Sequence, residues 1–147
     1  MTIDTAGVSM HLMFLRGLLS CYRYPASPES AMHETLTQIL MEAHQNFRRE
    51  VELAGGAGRI DFVVDTFAGC LGIECKVDGS PSDVAGQLLR YASAEHRDGQ
   101  PPQASAKQYV DGLLLLTSRN THARFFADVT ELHGKPFRVL STLAGSF

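Results

Sequence analysis

Gly58-Arg59-Ile60-Asp61-Phe62-Val63-Val64 and, after a short turn, Leu71-Gly72-Ile73-Glu74-Cys75-Lys76-Val77 are the two stretches that decide the fold. Each is a short run rich in Val, Ile and Phe. Glycine-bearing segments precede both, Ala54-Gly55-Gly56-Ala57-Gly58 and Phe67-Ala68-Gly69-Cys70, so they read as neighbouring strands joined by turns. Along the second strand Ile73, Cys75 and Val77 face one side and suit a core, while Glu74 and Lys76 face the other. Side chains two apart on a strand stand roughly 7 Å from each other, within reach of one ion and its bound waters. Asp61 on the first strand brings a second carboxylate.

Working outward, Met10 to Tyr22 reads as a short helix with Leu12, Leu15, Leu18 and Leu19 on one side, residues 1–7 being a loose terminus. Pro25 and Pro28 end it. Ser30 caps a second helix running from Ala31 to about Asn46, with Leu36, Ile39, Leu40 and Ala43 inward and Glu34 beside that stripe. Phe47–Leu53 is the first strand, so that three successive strands form a meander. Ser82 or Asp83 then caps a helix to about His96, with Val84, Leu88 and Tyr91 inward and Gln87 one turn before Tyr91.

Arg97 to Lys107 is a polar loop. Gly112–Thr117, with four consecutive leucines, fits a strand buried on both faces, hence central or parallel. A helix from His122 to Leu132 and a last strand from Phe137 to Ser141 complete the order. The fold class expected is α/β, a mixed sheet of about five strands flanked by helices.

The 147 residues, 44% hydrophobic, suit one domain over 1–147, with 1–29 as an N-terminal extension. The apolar segment from Val8 to Leu19 contains His11 and Arg16 and is too short for a membrane span; it also lacks the features of a secretory signal, so a cytoplasmic protein is expected. Three cysteines without a CxxC pair argue against a zinc site or a disulfide framework. A net charge of -3 gives no general attraction to nucleic acid, so binding of that kind needs a local basic patch or a metal. Arg48, Arg49, Arg59 and Arg90 are candidates for a phosphate-binding rim, whereas His96 and His122 read as surface residues.

Taken together, the helix bearing Glu34, the strand carrying Glu50, Arg59-Ile60-Asp61, Glu74-Cys75-Lys76 and the helix with Gln87-Leu88-Leu89-Arg90-Tyr91 resemble the PD-(D/E)xK nuclease superfamily over roughly residues 30–119. In size and order the chain is similar to the small Holliday junction resolvases of that superfamily, which work as homodimers. One departure is that Ile60, not proline, precedes Asp61. The resemblance implies a restriction-endonuclease-like fold in which Asp61, Glu74 and the backbone of Cys75 hold Mg²⁺, with Mn²⁺ as a substitute. It further implies Lys76 as the catalytic cation, Glu34 completing the metal site, and Gln87 as an added polar group; an offset of the strands would put Glu50 in the place of Glu34.

The chemistry of these side chains agrees with those roles. Mg²⁺ takes oxygen ligands and keeps several waters, and a bound metal polarises a phosphoryl oxygen and activates water. Lys76 either deprotonates that water or stabilises charge on the phosphate. Glu-x-Lys by itself is no more than an exposed ion pair; the apolar strand around it and Asp61 beside it carry the functional reading.

The expectation is therefore a Mg²⁺-dependent deoxyribonuclease acting on duplex or branched DNA. A homodimer is expected, joined through the N-terminal helix or the leucine-rich strand edge. The rival reading is a catalytically silent nuclease-like module that binds nucleic acid, or a protein partner in a larger complex.

Overall fold

A computed structural model describes residues 4–94 and 108–142. The chain forms a mixed six-stranded sheet with helices on both faces. Helices α1 (Thr5–Leu19) and α2 (Glu29–Glu42) precede a meander of β1 (Phe47–Leu53), β2 (Gly58–Asp65) and β3 (Cys70–Lys76). Helix α3 (Pro81–Ala92), β4 (Gly112–Thr117), α4 (Asn120–Phe126), β5 (Glu131–Leu132) and β6 (Lys135–Ser141) follow. The sheet order is β1-β2-β3-β4-β6-β5. The meander is antiparallel, β4 runs parallel to both β3 and β6, and β5 pairs antiparallel with β6.

The four leucines of β4 explain its central place. Leu114 and Leu116 enter the core under α1 and α2, whereas Leu113 and Leu115 enter the core under α3 and α4. All four are fully buried, as a parallel strand covered by helices on both faces requires. No edge of β4 is left for a dimer contact, because β3 and β6 flank it.

Several boundaries depart from expectation for local reasons. The segment expected to be loose before Val8 is helical from Thr5, since the Asp4 side chain caps α1 by accepting from the Gly7 amide at 3.0 Å and Val8 is buried. Helix α2 starts at Glu29 and stops at Glu42, where His44 adopts a left-handed φ of 56°. Ser80, not Ser82 or Asp83, caps α3, with Pro81 in the first turn, and the helix ends at Ala92.

The helix expected over 122–132 is only Asn120–Phe126. Glu131 and Leu132 instead form a hairpin with Lys135 and Pro136, because His133 and Gly134 both take positive φ, the geometry of a tight two-residue turn. That hairpin adds the sixth strand. The expected loop over 97–107 lies outside the described residues. None of the helices among the described residues is long and apolar enough to cross a membrane.

Candidate active site

The meander kinks where Asp61 sits. Arg49 pairs with Phe62 and Val51 with Ile60, while Glu50 between them has a left-handed φ of 51°. Period-two alternation fails at the same point of β2: Ile60 packs with Val63 under α3, although Phe62 and Val64 pack under α2. Asp61 thus lies at the end of the regular β2–β3 pairing, which reaches Phe62 and Ile73.

There Asp61 and Glu74 hold each other crosswise. Asp61 Oδ2 accepts from the Cys75 amide at 2.8 Å, and Glu74 Oε1 accepts from the Asp61 amide at 3.2 Å. Lys76 Nζ stands 3.3 Å from Glu74 Oε2. Two neighbouring strands therefore bring both acids and the amine into one cluster. Glu74 is only 3% exposed. Burial, and then the charge of Asp61, push its carboxyl up to about 8, while Lys76 and the Asp61 amide oppose the shift.

Helix α3 supports Glu74 from behind. The buried Tyr91 hydroxyl donates to the Arg59 carbonyl at 2.9 Å and lies 3.4 Å from Glu74 Oε2. Burial, together with Glu74 and Asp61, pushes the phenol well above its ordinary value, which keeps it a donor. Gln87 Nε2 donates to Tyr91 Oη at 2.7 Å, so Gln87 joins the cluster through Tyr91 rather than directly.

The helical acid in the cluster is Glu29, not Glu34. Successive residues of a helix are turned by about 100°, and Glu34 points outward to pair with Arg49 at 3.0 Å. His33 and Glu29, four apart, share the helix face turned toward Asp61, His33 the more deeply. His33 Nε2 lies 3.2 Å from Asp61 Oδ2 and 3.9 Å from Glu29 Oε2. The ring nitrogen is buried, yet it makes no hydrogen bond among the described residues, so its proximity to Asp61 is an ion-pair distance without bond alignment. Burial and then Asp61 raise the Glu29 carboxyl, against the pull of Lys76 and His33. Glu50, exposed at the kink, has no hydrogen bond or ion pair to the cluster among the described residues.

Three carboxyl groups meet one lysine ammonium here, so ionising all three calls for further positive charge, and hard oxygens are the donors that Mg²⁺ uses. The residues thus fit a divalent ion held by Asp61 and Glu74. Among the arginines proposed as a rim, Arg48 is engaged by Asp65 at 3.0 Å and Arg49 by Glu34, whereas Arg59 and Arg90 stay exposed near the cluster's strand and helix.

His122 is not a surface residue. It is fully buried, with Nδ1 2.8 Å from Thr117 Oγ1 and Nε2 2.7 Å from the Gly79 carbonyl, which ties β4 to the loop before α3. A separate concavity of about 540 Å³ between α1 and the β2–β3 turn, lined by His11, Phe14, His44 and Phe67, has Asp65 as its acid, and Arg48 neutralises it.

Sequence reasoning missed Glu29, His33 and the phenol of Tyr91. The Glu29/His33 and Gln87/Tyr91 spacings of four were available signals, since each places two polar groups on one helix face. No family model, curated protein or solved structure matches this chain.

Proposed function

We propose that this chain is a metal-dependent deoxyribonuclease of the PD-(D/E)xK kind, acting in the cytoplasm on duplex or branched DNA. The observation that carries the reading is the convergence of Asp61, Glu74 and Lys76, with each acid hydrogen-bonded to the other's strand. Asp61 and Glu74 are the residues that would hold Mg²⁺ or Mn²⁺. When bound, the metal supplies Lewis-acid polarisation of a phosphoryl oxygen and a bound water of lowered pKa.

The protein's own groups do the rest. Lys76, paired with Glu74, places a positive charge where a phosphate oxygen gains negative charge, which favours charge stabilisation over proton abstraction. Tyr91 stands beside Glu74, and Gln87 holds the Tyr91 hydroxyl in place. Exposed Arg59 and Arg90 are the basic groups left to meet the DNA backbone. A homodimer is the assembly this reading calls for on duplex DNA, because one site cuts one strand.

Supercoiled plasmid and a four-way junction, incubated with Mg²⁺ or Mn²⁺, test the reading beside Glu74→Ala and Lys76→Ala. Cleavage by the wild type and its loss in both variants support it. Equal inertness of all three proteins, with DNA binding retained, would establish the silent module instead.

A further inference from the structure

We propose that His33 Nε2, Asp61 Oδ2 and Cys75 Sγ form a thiophilic metal site that takes Zn²⁺ and, by sharing Asp61, competes with the hard-ion centre of Asp61 and Glu74. One ligand atom from each of these three side chains lies within 4.8 Å of those of the other two. Imidazole nitrogen, carboxylate oxygen and sulfur together form a donor set that Zn²⁺ uses and Mg²⁺ does not. The 3.2 Å between His33 Nε2 and Asp61 Oδ2 matches the edge of a tetrahedron built on ~2.0 Å zinc bonds, about 3.3 Å.

An independent observation points the same way: His33 Nε2 is buried without a hydrogen-bond partner among the described residues. A buried donor or acceptor is rarely left so unless something else satisfies it. Strand alternation explains how two sites share one acid. Glu74 leaves β3 toward α3, Cys75 leaves it toward α2, and Asp61 at the strand end bonds the amide between them. Glu29 Oε2, 3.9 Å from His33 Nε2 and 40% exposed, lies on the open side, where it or a water supplies the fourth ligand. On binding, the Cys75 thiol loses its proton to solvent, a Zn–S bond replaces the S–H bond, and no electron is transferred.

The site itself does not depend on the nuclease proposal; the competition with Mg²⁺-supported cleavage rests on it. Co²⁺ serves as the spectroscopic probe for Zn²⁺ on the full chain. Titration is expected to produce the visible bands of tetrahedral cobalt with a sulfur-to-cobalt charge-transfer band, both erased by one equivalent of Zn²⁺. His33→Ala and Cys75→Ala, checked for folding by circular dichroism, should lose the charge-transfer band.

A Cys21→Ser/Cys70→Ser double variant leaves Cys75 as the only thiol and should keep it, which decides the matter even where Cys75→Ala does not fold. Absence of the band in the wild type, its loss in the double variant, or its survival in folded Cys75→Ala overturns the site. In a parallel cleavage assay with Mg²⁺, added Zn²⁺ should suppress product. Cleavage that Zn²⁺ leaves untouched overturns the competition. A wild type that never cuts counts against the nuclease reading alone, the cobalt spectrum still deciding the zinc site.

Discussion

Asp61 and Glu74 exchange contacts across the end of the β2–β3 pairing, the carboxylate of Asp61 on the amide of Cys75 and the carboxylate of Glu74 on the amide of Asp61. The backbone thereby fixes two carboxyl groups side by side in a largely buried position, where ionising both is unfavourable. Folding pays for that arrangement in electrostatic strain, and a cation relieves it.

The strain has a pH signature in metal-free protein. The Glu74 carboxyl is raised from 4.5 to about 8 in the fold, so its contribution to stability is fully present below about 4.5 and is lost as pH rises through about 8. Urea midpoints measured in EDTA should fall for the wild type between about pH 5 and about pH 9 more steeply than for Glu74→Gln. Parallel profiles for the two proteins would show that Glu74 is not strained.

Tyr91 links α3 to both the Arg59 carbonyl and Glu74. Tyr91→Phe keeps the ring in the core but leaves the Arg59 carbonyl and the Gln87 amide without their partner, which should cost about 1–2 kcal/mol by chemical denaturation. The same variant should slow plasmid cleavage, since Glu74 loses an orienting contact. Gln87→Leu, one step further from the acid, should have a smaller effect on both.

The two helical glutamates separate cleanly. Glu29→Gln removes a carboxylate that feels Asp61 and Lys76 and should lower cleavage by about tenfold, or about 1.4 kcal/mol in barrier. Glu34→Gln removes only an exposed pair with Arg49 and should leave the cleavage rate within about twofold. The opposite ranking in a steady-state assay would restore Glu34 to the site.

Much of this was legible in the residues. The alternation of Ile73, Glu74, Cys75 and Lys76 placed acid and amine on one face, and four leucines in a row marked the central parallel strand. What stayed hidden depends on geometry that periodicity does not encode. The left-handed Glu50 breaks the alternation of β2 at Asp61, and the angular position of α2 selects Glu29 and His33 over Glu34. The β5–β6 hairpin turns on His133-Gly134, where a histidine accepts a positive φ that sequence reading assigns first to Asn or Asp.

His122 illustrates the same limit, since a lone histidine carries no mark of burial. Its ring joins Thr117 to the Gly79 carbonyl at full burial. His122→Ala removes both bonds and leaves a cavity, and should destabilise the protein by about 2–4 kcal/mol in urea unfolding. A loss within about 0.5 kcal/mol would mean that the ring is dispensable.

Single-turnover cleavage of an end-labelled duplex in Mg²⁺, with enzyme in excess, tests the central claim most directly through Asp61→Asn and Lys76→Met. Both variants conserve size while deleting the charge that defines the cluster. A metal-dependent wild-type rate is expected, with a fall of roughly a hundredfold or more in each variant, about 2.7 kcal/mol in barrier. Wild-type cleavage that persists unchanged in both variants, or that needs no divalent ion, would contradict that claim.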